Sequence, residues 1–268
     1  MLSFLSIIAV GFFLGMRHAT DPDHVIAVTT IVAQQRKLGR AALIGAFWGL
    51  GHTFTIFLVG TGIILFNLVI PTRIGLSMEL SVAVMLIVLG LMNVASFLRA
   101  IPASSPEQSP AGAVHSHVHT HGDYAHSHPH SHAPEARGHS HDHTTLAALD
   151  RKLGRTWIYQ HVRPLVVGIV HGLAGSAAVA LLVLTTIRDS HWAIAYLLVF
   201  GVGTIAGMMV ITMSIATTFR IVGGKREKFS QKLAMASGLL SLGFGALVAY
   251  QICFVSGLLT THPQWTPK

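Results

Sequence analysis

The sequence predicts an all-α, polytopic membrane helix bundle of about six transmembrane helices, arranged as two inverted three-helix repeats. Three observations predict it. The chain is 51% hydrophobic and only 10% charged, against about 25% charged in an ordinary soluble domain, and its mean hydropathy is +0.60. Apolar stretches able to cross a hydrocarbon core about 30 Å thick recur along it. Short motifs of the first half also return in the second.

The apolar stretches are residues 2–32, 41–70, 76–98, 164–187, 192–219 and 233–259. The first is interrupted by polar residues and reads either as one broken helix or as a short hairpin. It could pass for a signal peptide, but no basic residue precedes it and no small-residue cleavage site follows, so a retained segment is expected. The second, helical throughout, would be about 45 Å long at 1.5 Å per residue, so it must tilt, break or protrude. Its glycines at 45, 49, 51, 60 and 62 permit close helix packing.

Lys and Arg distribute unevenly between the spans. The first connection holds Arg36, Lys37 and Arg40, the third Arg99, Arg137, Arg151, Lys152, Arg155 and Arg163, and the fifth Arg220, Lys225, Arg226, Lys228 and Lys232. The alternate connections hold Arg73 and Arg188. The odd connections are therefore expected in the cytoplasm and both termini outside. The chain divides into a first membrane half, 1–98, a cytoplasmic connection, 99–163, and a second half, 164–268. Its pI near 10.2 does not indicate nucleic acid, because the cations form short clusters between apolar segments rather than one basic face. Cys253 is the single cysteine, which excludes an intrachain disulfide and any Cys-rich metal site.

The repeat is carried by Gly15-Met-Arg-His18, echoed by Gly168-Ile-Val-His171, and by Trp48-Gly-Leu-Gly51, echoed by Phe200-Gly-Val-Gly203. With three spans per half, the two copies lie in opposite orientations, an arrangement that puts a substrate site near the midplane.

The most informative stretch is RHATDPDH, Arg17 to His24, with two His and two Asp directly after an apolar run. A charge near the bilayer centre costs roughly 2.5–3.5 kcal/mol on insertion scales, and such residues usually line an ion or substrate path. His18, Asp21, Asp23 and His24 therefore read as a cation site. Pro22 lacks an amide hydrogen, and Asp21 before it matches a helix N-cap. Together they predict a break at Thr20 and Asp21 that leaves the His18 carbonyl free beside the side chains. Asp21 is then a ligand or a cap, and Asp23 a ligand or a partner that orients an imidazole. His52, in Gly49-Leu-Gly-His-Thr53, is a further candidate. His171 occupies the repeat position of His18 and reads as a ligand, an orienting donor or a helix contact.

A second signal lies in the 99–163 connection, which is polar and rich in Pro, Ser and His. It carries His115, His117, His119, His121, His126, His128, His130, His132, His139, His141 and His143. Such a tract cannot build an apolar core and is expected to be disordered. Imidazole is the common side-chain ligand of Zn, Ni, Cu and Co, so metal buffering or sensing is its expected role.

RHATDPDH, the GLGHT stretch, the His-rich connection and the six spans resemble the nickel/cobalt transporter family, especially its shorter urease-accessory, high-affinity nickel transporter-like branch. That family's signature is a His, four residues, then Asp-His on an early helix. His18, Asp23 and His24 match it, Asp21 also fits, and His52 falls where the family places a His in the following helix. Where longer members carry an acidic motif in the second half, this chain has HGLAGSAA, 171–178, which leaves the second-half ligands and the selectivity open.

The resemblance implies a permease for a divalent transition-metal cation, Ni²⁺ or Co²⁺, with uptake across the cytoplasmic membrane. The metal is then cargo rather than a prosthetic group, the bilayer is a partner, and nickel-enzyme maturation proteins are expected partners. Donor chemistry agrees, since imidazole and carboxylate without thiolate suit divalent Ni, Co or Zn better than Cu(I). Three other readings stay open: a nickel or cobalt exporter, a zinc permease or exporter, and a non-transporting metal-delivery partner of a nickel enzyme. No nucleophile is paired with a base, and Gly223-Gly-Lys225 lacks the remainder of a P-loop, so no enzyme activity is expected.

Overall fold

The structure, a computed structural model, describes residues 2–33, 35, 37–66, 70–100, 115–121, 124–130, 161–174, 187, 189–223 and 227–265. Its helices are α1 (Leu2–His18), α2 (Pro22–Val32), α3 (Leu38–Phe66), α4 (Thr72–Ala100), α5 (His161–Ala174), α6 (Ser190–Gly223) and α7 (Glu227–Tyr250). A π-helical turn, Gln251–Val255, extends α7. Two strands, β1 (His115–His121) and β2 (Tyr124–His130), pair antiparallel. This ribbon is the departure from an all-α chain among the described residues, and it lies inside the connection expected to be irregular.

Among the described residues, four helical stretches, Leu38–Phe66, Thr72–Ala95, Ser190–Ile221 and Lys232–Val255, are long and apolar enough to cross a membrane. The first expected span is divided into α1 and α2. The fourth, 164–187, is a helix as far as Ala174, and 175–186 lie outside the described residues.

The division of the first span follows from Pro22. α2 begins there, with Asp21 extended at φ −60° and ψ 145° and no hydrogen bond from its side chain to the helix end. The amides of Ala19, Thr20 and Asp21 bond the carbonyls of Gly15, Arg17 and His18. The His18 carbonyl, expected to be free, therefore accepts from the Asp21 N–H at 3.1 Å. A tightened turn uses up the group that Pro22 leaves without its usual donor.

Contacts along α6 decide between a broken helix and a hairpin. Gly11 faces Tyr196, Gly15 faces Phe200 and Thr204, and Met16 and Ala19 face Gly207. Past the break, Ala33 joins Phe219 in one apolar cluster. Numbers rise together on both sides, so α1 and α2 run the same way and form one interrupted segment.

The inverted repeat is visible in how the helices touch. A Cβ on Gly15 would strike the Phe200 carbonyl and lie 2.9 Å from the Thr204 amide, while one on Gly168 would strike the Trp48 carbonyl and lie 3.0 Å from the His52 amide. Gly203 meets the Phe12 carbonyl, and Gly51 meets that of Leu165. Trp48 and Phe200 are matching repeat positions, as are His52 and Thr204, so the two seams are copies of each other. α3 and α6 pack antiparallel, Gly49 on Ile205 and Gly201 on Thr53. Since α3 and α6 are counterparts, the relating axis lies across the helices, as an inverted repeat requires. Each half thus lends its first helix to the other: α1 packs on α6, and α5 on α3.

These seams predict a sharp contrast between glycines. Gly168→Val is expected to destabilise the detergent-solubilised protein by about 2 kcal/mol or more through overpacking against backbone. Gly243→Ala, where an added Cβ meets nothing within 4 Å, is expected to be neutral or to stabilise by up to about 1 kcal/mol. Denaturation midpoints of the two variants against the parent test the contrast.

Candidate metal centre

His52 sits midway along α3, about 21 Å from either end at 1.5 Å per residue, in the middle of a helix long and apolar enough to cross a membrane. Its neighbours come from three other elements: His18 from the last turn of α1, Asp23 and His24 from the first turn of α2, and His171 from α5. All six residues read from the sequence as candidate ligands, His18, Asp21, Asp23, His24, His52 and His171, fall in one cluster.

Ring centroids of His24 and His171 are 4.0 Å apart, His18 and His24 4.8 Å, His24 and His52 4.9 Å, and His18 and His52 5.1 Å. Two groups bring their ligand atoms within 4.8 Å of one another, His18 with His24 and His52, and Asp23 with His24 and His171. Metal–nitrogen bonds of 2.0–2.1 Å place ligand atoms about 2.9–3.4 Å apart around one ion. His18 Nε2 and His52 Nε2 already stand at 2.9 Å.

Hydrogen bonds to the carboxylates assign the imidazole tautomers. His24 Nδ1–H donates to Asp23 Oδ1 at 3.0 Å, and His171 Nε2–H donates to Asp23 Oδ2 at 3.0 Å. The His24 amide adds a bond to Oδ1 at 2.9 Å. His18 Nδ1–H donates to Asp21 Oδ2 at 2.9 Å. With Nδ1 committed, His18 and His24 both present Nε2 as a lone pair, the pattern by which carboxylates orient metal-binding imidazoles. Among the described residues, His24 Nε2 is buried without a partner, and so are His52 Nδ1, His171 Nδ1 and Trp48 Nε1. Buried polar nitrogens without partners are rare in folded chains, and four in one cluster mark it as built for something other than packing.

The arrangement can hold a divalent cation on three imidazole nitrogens, His18 Nε2, His24 Nε2 and His52 Nε2. Asp23 lies close enough to offset charge, and His171 is tied to it. Exposure is graded: the Asp21 side chain is 47% accessible, Asp23 33% and His18 16%, while His24, His52 and His171 are buried. The carboxylates are thus the more accessible members of the cluster and the imidazoles the more buried.

Trp48 and Phe200, read from the sequence only as repeat positions, also stand beside the cluster. The buried Trp48 ring lies 5.7 Å from His171, and Phe200 lies 5.5 Å from His18. The signal was present, because the two aromatics occupy the same repeat position one turn before His52 and its counterpart Thr204. Of the tract histidines, His115, His117, His119, His121, His126, His128 and His130 lie in the ribbon. His132, His139, His141 and His143 fall outside the described residues.

The chain is 33% identical over 254 residues to the urease accessory protein UreH of Bacillus sp. (strain TB-90), an alignment covering 95% of each chain. This protein belongs to the UreH family. That is a nickel/cobalt transporter-like urease accessory family, the same branch that RHATDPDH resembles. No family model matches the chain, and no solved structure matches it. With four long apolar helices, this UreH-family member is a membrane protein.

If the cluster is a metal site, its members contribute unequally. In equilibrium dialysis against Ni²⁺, His24→Ala is expected to lose one tight equivalent while the weaker binding of the tract persists. Asp23→Asn is expected to weaken that equivalent about 10–100-fold, the usual effect of losing a partner that orients a ligand.

Proposed function

We propose that this protein is a permease for a divalent transition-metal cation, Ni²⁺ or Co²⁺, working as an importer across the cytoplasmic membrane. The observation that carries the reading is the convergence of four imidazoles and Asp23 at mid-depth of an inverted-repeat helix bundle. Nitrogen donors without thiolate favour divalent Ni, Co or Zn over Cu(I), and a site for Mg²⁺ would use oxygen and water instead.

Import needs no nucleotide. A divalent ion entering an inside-negative cell gains about 4.6 kcal/mol per 100 mV, from about 2.3 kcal/mol per elementary charge. Asp21 and Asp23, the more exposed members, attract the ion and compensate its charge. His18, His24 and His52 replace its water, and His171 holds Asp23 in place. The relative named a urease accessory protein supports nickel as cargo, with the maturation proteins of a nickel enzyme as its recipients.

The His-rich connection serves as a cytoplasmic buffer. In the ribbon, His115 stands opposite His130, His117 opposite His128 and His119 opposite His126. The buffer is separate from the translocation site.

The test is metal flux into proteoliposomes with an imposed inside-negative potential, at equal reconstitution. Wild type is expected to show saturable Ni²⁺ or Co²⁺ uptake that His18→Ala and Asp23→Asn lose. Equal flux in those variants, or none in wild type, sinks the permease reading. Flux only outward, with metal resistance on expression, favours the exporter, whereas normal accumulation beside an under-metallated client enzyme favours delivery. Deleting residues 113–145 is expected to leave initial uptake within about twofold and to lower the metal retained per protein.

A further inference from the structure

The described helices group into two bodies that cut across the sequence halves. α1, α3, α5 and α6 are joined by backbone contact at Gly15, Gly51, Gly168 and Gly203, with Gly49 and Gly201 seating α3 on α6. α4 and α7 are joined separately. A Cβ on Gly90 would lie 2.7 Å from the Gly238 carbonyl, and one on Gly245 would lie 2.9 Å from that of Ala83. Contact between α6 and α7 is thin, and α2 bridges the bodies by touching α4, α6 and α7.

The ligands divide along the same line. His18, His52 and His171 belong to the four-helix body, whereas Asp23 and His24 stand on α2, beyond the break. A second polar cluster ties the far end of α2 to the other body. Asn93 of α4 is buried, and its Nδ2 donates to the Ala234 carbonyl at 3.0 Å and to Ser237 Oγ at 3.3 Å, both on α7. Ser241 Oγ donates to the Leu86 carbonyl at 2.9 Å, again between α7 and α4. The Thr30 hydroxyl of α2 bonds the Ile26 carbonyl and lies 3.5 Å from the Ser237 carbonyl. A buried Asn inside the membrane needs such partners, and these all join the same three helices.

We propose that α4 and α7 move as one unit against the body of α1, α3, α5 and α6, with the break at Ala19–Asp21 as the hinge that lets α2 follow them. Asn93 is the positioning residue that keeps α4, α7 and the end of α2 together. The movement carries Asp23 and His24 toward or away from the three imidazoles of the other body, which assembles or dismantles the metal site. The break suits a hinge because three residues at an element boundary absorb the change of angle while the helices on either side stay intact. The purpose of the movement rests on the permease reading; its geometry does not.

Double electron–electron resonance in proteoliposomes tests this, with spin-labelled cysteine pairs at exposed positions in a Cys253→Ala background. Val10/Ile221 reports on the four-helix body, Leu98/Leu247 on α4 with α7, and Ile221/Leu247 on the distance between bodies. On adding Ni²⁺, the third distance is expected to shift by several ångström, with the first two unchanged. A comparable shift within either body, or no shift between them, overturns the proposal. If Ni²⁺ shifts Ile221/Leu247 in a protein that shows no flux, the permease reading falls and the two-body movement stands. Asn93→Ala is expected to broaden the Leu98/Leu247 distribution and to slow Ni²⁺ turnover about three- to twentyfold, the range of a lost interhelical hydrogen bond, at unchanged half-saturation. A narrow distribution with lower yield alone would reduce Asn93 to a stabilising contact and remove its positioning role.

Discussion

Four imidazoles meet in the middle of this bundle because no side chain separates α1 from α6 or α5 from α3. Gly15 and Gly203 let one pair of backbones touch, and Gly51 and Gly168 do the same for the other. Each seam lies within a turn of a site residue: Gly15 of His18, Gly168 of His171, and Gly51 beside His52. In lipid the apolar tails give helices little reason to associate, so van der Waals contact between close backbones supplies much of the cohesion. That same closeness brings imidazole nitrogens from three separate helices within 4.8 Å of one another. Cohesion and site geometry are one constraint here, and widening a seam would loosen both.

Asp23 is the second constraint. A carboxylate held at this depth needs partners, because removing charge from water costs several kcal/mol even after relaxation. Its two oxygens are used by His24 and His171, one from each half of the chain. The bonds that make the carboxylate tolerable also set which imidazole nitrogen faces the cluster centre. The two repeats share their packing but not their chemistry. Thr204 stands where the other half has His52, and Phe200 where it has Trp48. A symmetric frame thus holds an asymmetric donor set, with His18, His52 and His171 on α1, α3 and α5 and with Asp23 and His24 on α2.

Much of this was legible in the residue order. The spacing of His18, Asp21, Asp23 and His24 singled out residues that the fold does bring together, and Pro22 located the break. The paired motifs around His18 and His171, and around Gly51 and Gly203, disclosed the repeat. Other features were not legible. The His18 carbonyl, read as free, is used by a tightened turn, because a local hydrogen bond one residue shorter was available. Asp21, read as a ligand or a cap, does occupy the N-cap position of α2, but its side chain bonds His18 Nδ1 instead of the helix end. Trp48, read as a repeat position, was not placed beside the histidines, because an aromatic residue in an apolar helix looks like ordinary core until its ring nitrogen proves to lack a partner among the described residues. The ribbon in the His-rich connection has no apolar pattern, so only its strand pairing reveals it.

By itself the sequence determined the membrane class, the break in the first span, the inverted repeat and the six residues of the cluster. These follow from local properties: apolar length, the missing amide of proline, and the cost of ionisable groups in a low-dielectric span. Only the tertiary structure decided that α1 packs on α6 and α5 on α3, that Asp23 bridges His24 and His171, and that Asn93 joins α4 to α7. Those depend on contacts between residues more than a hundred positions apart, and chain order carries no distance between helices until their backbones have met.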